Sequence, residues 1–290
     1  MDEIYLHAWN ILVQDDRKNL DKMRTYFGNY KNAWNRANAG ELLRFFSPEK
    51  ISHYLEKKKE LDPDRLYKKI NKKFRLIMCI DADYPPLLKH IKHYPAGIYT
   101  RGKINLSRHF LSIVGTRKNT RYGELQIKKL VQNLKNYPFT IVSGLAHGID
   151  TIAHWSAIQE NLQTIAVLGY GFDYLPRTKF KLVREILEKD GALISEYPPE
   201  REGTKYTFPE RNRIIAGISP VTIVAEAPEK SGALITANLA FESDRTVFAI
   251  PGDIDRIESR GCNEIIRGNQ ASPLLDPINI FEEDEKKPQN

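Results

Sequence analysis

The residues of this chain that could do chemistry sit in loops directly after short apolar runs. The run FLSIV is followed by Gly115, Thr116, Arg117, Lys118, Asn119, Thr120 and Arg121. A helix opening there leaves backbone N–H groups unpaired and turns the positive end of its dipole outward, a setting for phosphate to which Arg117 and Arg121 add full charge. A tight turn with solvated arginines fits the same spacing. The run FTIV leads into Ser143, Gly144, Leu145, Ala146, His147, Gly148, Ile149 and Asp150. Its serine and glycines mark close backbone approach to a ligand or a strained turn. Asp150 has the type of a catalytic base, and equally that of an acid satisfying N–H groups at a helix start. His147 and His154 lack a third convergent ligand, so they read as core or capping histidines and no metal is expected.

The run TIAVL continues as Gly169, Tyr170, Gly171, Phe172, Asp173 and Tyr174. This is half a dinucleotide fingerprint: Tyr174 stands where a third glycine belongs, and Asp190 falls at a helix end where a ribose-binding acid should follow a strand. Arg177 and Lys179 lie beside Phe172 and two tyrosines, the mixture of cations and aromatics that stacks on unpaired bases. Further on, Phe208-Pro209 opens a helix with Arg211, Asn212 and Arg213 near its start. Cations there oppose the helix dipole by a few tenths of a kcal/mol, and a bound anion or an ion pair to Glu196 or Glu210 would relieve the conflict. After VTIVA and Glu226, Ser231 can cap a helix while Gly232 permits close approach.

The elements positioning these loops are legible as short apolar runs, RLIMCI, GIYT, FLSIVG, TIVS, TIAVLG, ALIS, VTIVA and TVFAIPG, each followed by a turn and most by an amphipathic stretch. Such runs without polar alternation predict strands buried on both faces, and their spacing predicts an α/β, doubly wound, mostly parallel sheet. In a parallel sheet the loops share one carboxyl edge, which makes a groove rather than one pocket. Residues 1–72 read as a separate helical domain, with Ile4, Leu6, Trp9 and Leu12 at helical spacing. Residues 73–281 form the sheet domain, and the charged tail 282–290 is expected to fray. The charged segment around Pro63 is either a solvated face or an accessory binding surface.

The 290 residues carry a net charge of +7 and a pI of about 9.1, which favours an anionic partner. The basic excess is spread thinly, so binding must rest on a few placed cations and backbone donors. No apolar run is long enough to span a bilayer, and the acidic N-terminus lacks the basic region of an export signal. Cys79 and Cys262 offer neither a disulfide framework nor a zinc spacing, which fits a reducing cytoplasm.

Taken together and in order, GTRKNTRYG, SGLAHGIDTIAH, VLGYGFDYLP, ISEYPP, FPERNRIIAG, AEAPEKSGALITA, FAIPGD and GCNEIIRGNQA resemble the DprA/Smf family of DNA-processing proteins over about residues 81–275. The helical N-terminal part is similar to the family's sterile-alpha or helix-hairpin-helix domain. The resemblance implies an extended Rossmann-like domain, a cytoplasmic homodimer without cofactor or catalysis, cooperative binding and protection of single-stranded DNA, and help in loading the recombinase RecA in natural transformation. It implies binding roles for Arg117 in GTR, for Arg177 or Lys179 after the glycine-aromatic loop, for Arg211, Asn212 and Arg213, and for Ser231 and Gly232. The alternative is a nucleotide-processing enzyme of the related phosphoribohydrolase type with Glu226 or Asp150 as acid or base, although its expected Pro-Gly-Gly-x-Gly-Thr loop is missing.

Overall fold

In the computed structural model, residues 1–70, 73–277 and 279–280 are described. The chain begins with helices α1 (Asp2–Val13), α2 (Leu20–Phe27), α3 (Tyr30–Arg36), α4 (Ala39–Leu42), α5 (Pro48–Glu60) and α6 (Pro63–Ile70). Their boundaries follow from local chemistry. Asn29 caps α3 by accepting from the Asn32 N–H at 2.7 Å, Asn38 and Glu41 form a reciprocal capping box on α4, and prolines occupy the starts of α5 and α6. The buried stripe of α1, with Leu6, Trp9, Leu12 and Val13, supplies the core, where Trp9 meets Trp34 edge to face at 5.3 Å.

The sheet has nine strands among the described residues: β1 (Arg75–Met78), β2 (Gly97–Gly102), β3 (His109–Val114), β4 (Phe139–Ser143), β5 (Gln163–Leu168), β6 (Ala192–Ser195), β7 (Val221–Val224), β8 (Thr246–Ala249) and β9 (Ser272–Pro273). Six helices accompany them, α7 (Arg121–Asn133), α8 (Ile149–Gln159), α9 (Phe180–Glu188), α10 (Thr207–Ile218), α11 (Gly232–Glu242) and α12 (Ile257–Arg267). The strand order is β1-β2-β6-β5-β4-β3-β7-β8-β9. From β6 to β9 all neighbours are parallel, whereas β2 runs antiparallel to both β1 and β6. All the strand runs read from the sequence are present, in an α/β Rossmann-like fold. The antiparallel pair and the two-residue β9 carry no distinct apolar signature.

Successive residues of the central strands serve opposite faces. In β3, Phe110 and Val114 join the cluster under α10 and α11, while Leu111 and Ile113 join the one under α7 and α8. A third cluster runs from the N-terminal helices through Leu76, Tyr99 and Leu193 to α9. Polar contacts fix those helices against the sheet and the segment before β2: buried His7 Nδ1 lies 2.9 Å from the Tyr99 hydroxyl of β2, and the half-buried Tyr94 hydroxyl donates to Asp21 at 2.5 Å. No helix among the described residues is long and apolar enough to cross a membrane. The chain winds one way from β3 to β6 and the other from β7 to β9, which places the topological switch point between β3 and β7. Ligands of open α/β sheets bind in the crevice at such a point.

Candidate nucleic-acid interface

A cavity of about 330 Å³ opens at this switch point. The β3 loop contributes Gly115, Thr116, Arg117 and Lys118, the β4 loop Ala146, the first turn of α8 Asp150, α10 Arg211 and Asn212, and α11 Gly232 and Thr236 with its N-cap Ser231. Backbone bonds stitch the loops together. Thr116 donates its N–H to the Glu226 carbonyl at 2.7 Å and accepts from Ile149 at 3.2 Å. The β3 loop is thereby fixed to both neighbours.

The amino end of α7 is not the open phosphate site that its sequence suggests. Glu226, almost fully buried, accepts from the Thr120 N–H at 2.9 Å and from the Thr120 hydroxyl. The anion favoured by this helix end is therefore an internal carboxylate. The amino end of α11 differs: Ser231 caps the Leu234 N–H at 3.4 Å, and a Cβ added to exposed Gly232 would meet nothing within 4 Å. This end opens on the cavity whose rim carries the exposed Arg117 and Lys118. Arg121, the first residue of α7, is exposed nearby in the chain.

The floor is a buried acid and a buried base. Asp150 accepts from the N–H groups of Gly144 at 3.1 Å and Ala146 at 3.3 Å, which holds Leu145 between them at φ 58°. Burial raises the pKa of this carboxyl, and the positive charge of Arg211 opposes the rise. Arg211 donates Nη1 to the carbonyl of Gly144 at 2.7 Å and to that of Val167, and Nε to Asn212 Oδ1 at 3.1 Å. It braces the ends of β4 and β5 against α10 and orients Asn212 on the rim. Burial lowers its pKa, with Asp150 opposing.

Other expected binding groups are also engaged inside the protein. Lys179 is buried and donates to the Thr151 hydroxyl at 2.8 Å and the Ala146 carbonyl at 3.2 Å; burial lowers its pKa. Arg213 pairs with buried Glu196 at 2.6 Å. Because α10 begins at Thr207, Arg211 and Arg213 both lie beyond its first turn, and the Thr204 hydroxyl accepts from the Thr207 N–H at 3.4 Å, so the expected dipole conflict does not arise. Phe172 stacks on Phe74, with centroids 4.6 Å apart and planes 9° from parallel. The Ser143 hydroxyl donates to the Ile113 carbonyl at 2.7 Å. Gly169 and Gly171 are close-packed as well, against Phe208 and the Pro198 carbonyl, and Gly115 against Ile149. Only Arg177, on an outward turn after the β5 loop, remains an exposed cation of its segment's two.

His154 is buried with Nδ1 2.7 Å from the Thr164 hydroxyl, and burial depresses its pKa to about 3, so its ring is neutral in the folded protein. Exposed His147 is not joined to it, and the described residues contain no cluster of three or more His, Cys, Asp or Glu fit for a metal ion. Sequence reading left Asp150 open between catalysis and backbone capping and offered Glu226 only as an acid or base; the cap that Glu226 makes was hidden because Thr120 lies on another loop, 106 residues away in sequence. The same reading passed over Thr236, whose signal is its spacing one helical turn from Gly232.

Fold and site together define a Rossmann-like α/β protein with a cationic, internally braced groove at its switch point. Residues 75–285 match the family model described as DNA recombination-mediator protein A, and the chain belongs to that DNA-processing family. It is 36% identical over 281 residues to protein Smf of Synechocystis, covering 94% of this chain and 70% of that protein. Its fold is similar to the X-ray structure of DNA processing protein A from Streptococcus pneumoniae, with TM-score 0.80, 33% identity and 92% of each chain covered. A second similar structure concerns the single-stranded DNA binding mode of DNA processing protein A from Helicobacter pylori, with TM-score 0.65, 28% identity, and 73% of this chain and 96% of that one covered.

Proposed function

We propose that this chain binds single-stranded DNA along the carboxyl edge of its sheet, without catalysis. The observation that carries the reading is the convergence of exposed Arg117 and Lys118 with the open amino end of α11 on one cavity. These are donors for a phosphate backbone, and they carry little base information. The subject of the Helicobacter structure agrees with it. Arg117, Lys118, Arg121, Asn212, Ser231 and Gly232 contact the strand, and Arg177 extends the track past the β5 loop. Arg211, Lys179, Arg213, Ser143 and Phe172, with the packed glycines, hold those contacts in place. Asp150 and Glu226 are committed to backbone N–H groups, which supports a binding rather than an acid–base role. As a cytoplasmic homodimer with a helical module at 1–72 and a DNA-binding domain at 73–281, the protein shields incoming single strands and assists RecA loading.

Titration with oligo-dT and with duplex of equal length, at two salt concentrations, tests this. Tighter binding of the single strand with a clear salt dependence is expected. Equal affinity for duplex, or Arg117→Ala binding as tightly as wild type, overturns it.

A further inference from the structure

A second cavity, of about 310 Å³, lies where the N-terminal helices meet the loop between β6 and α10. Four cations reach it from four elements: Arg17 after α1, Lys57 on α5, Lys69 on α6 and Arg201 on the loop. Glu200 is the acid facing them among the described lining residues. Ile11, Leu66 and Pro198 give the cavity an apolar wall.

Arg17 supplies an independent sign of a ligand. Its side chain is only 3% exposed, yet its ion partner Glu210 stands 3.5 Å away, and the same carboxylate oxygen accepts from the Tyr197 hydroxyl at 2.9 Å. One Nη donates to the Gln14 carbonyl, and the guanidinium lies 4.3 Å above the Tyr197 ring. Its Nε has no hydrogen-bond partner among the described residues. Glu210 balances the charge at the long end of ion-pair distance, but the buried Nε donor is costly to leave unpaired unless an acceptor from a ligand completes it.

We propose that this cavity is a phosphate seat, taking a phosphate ester of about nucleotide size with the phosphate on Arg17, Lys57 and Lys69 and the organic body on the apolar wall. Its volume is at the small end for ligand pockets. The ester is either a free nucleotide or the backbone of a strand that has left the switch-point groove. The second source rests on the single-strand reading above; the first does not.

The test compares wild type with the double variant Lys57→Glu/Lys69→Glu, at the cavity rim, and with Lys59→Glu/Lys68→Glu, an equal charge change on the same helices away from the cavity. Calorimetry with ADP probes the free nucleotide, and short against long oligo-dT probes the strand. In the rim variant, either ADP affinity or the affinity gained with strand length falls roughly tenfold or more, as expected when charge-assisted phosphate contacts are lost. The control variant falls much less, and Arg117→Ala leaves ADP binding intact. A rim variant matching the control in both probes overturns the proposal. Failure of wild type to bind even short oligo-dT defeats the single-strand reading and leaves the ADP result to decide this one.

Discussion

Arg211 Nη1 donates to the carbonyl of Gly144 at 2.7 Å, and a Cβ on Gly144 would sit 2.8 Å from the same guanidinium. The glycine that sequence alone would assign to ligand approach thus makes room for an internal arginine. The brace predicts that Arg211→Ala costs about 3 kcal/mol or more, because Asp150 keeps a buried charge and two carbonyls lose a donor. Gly144→Ala should cost about 1–3 kcal/mol by overpacking. Urea unfolding measures both, and an Arg211→Ala protein as stable as wild type would refute the brace.

Arg117 is exposed on the cavity rim, so Arg117→Ala should separate binding from stability. Stability should hold within about 0.5 kcal/mol. Affinity for oligo-dT should drop roughly tenfold, and the slope of log affinity against log salt should shrink by about 0.7 for the lost phosphate contact. Fluorescence anisotropy across a salt series measures the two quantities together.

Glu226 holds the Thr120 N–H and hydroxyl at the start of α7. Replacing it by Gln removes the carboxylate from that helix end and should cost about 1–2 kcal/mol, with oligo-dT affinity kept within a few-fold. The competing enzymatic reading expects something different: turnover of free nucleotides by wild type that vanishes in Glu226→Gln. Product analysis after incubation with nucleotides decides between them.

Burial holds His154 at a pKa of about 3, against 6.5 for an unperturbed imidazole. The unfolded chain therefore binds the extra proton over that window and the folded one does not. The stability contributed is present above about pH 6.5 and is lost as pH falls toward 3, by up to about 1.4 kcal/mol per pH unit for one such group. His7, depressed to about 4 by burial, acts with the same sign. Urea midpoints between pH 7 and 5 should fall in wild type and fall less steeply in His154→Asn; identical slopes would remove His154 from the account.

Much of the fold is legible in the chain because a strand buried on both faces must be apolar throughout, and a crossover helix must be amphipathic. The runs FLSIV, FTIV, TIAVL and VTIVA therefore mark their own positions, and the residues just beyond them, Arg117, Lys118, Ser231 and Gly232, fall on the carboxyl edge whatever the details of packing. Strand direction is another matter. β2 looks like its parallel neighbours in composition, and only its pairing with β6 reveals it as antiparallel.

What the sequence by itself determined is the doubly wound sheet and the loops able to meet an anion. Only the tertiary structure decided which groups in those loops remain available. Arg211 finds Gly144 and Val167, Lys179 finds Ala146 and Thr151, Arg213 finds Glu196, and Phe172 finds Phe74, each partner far away in sequence or on another element. A cation or an aromatic ring can bind a ligand or brace a loop with the same chemistry. Burial, set by the packing of distant segments, makes the choice.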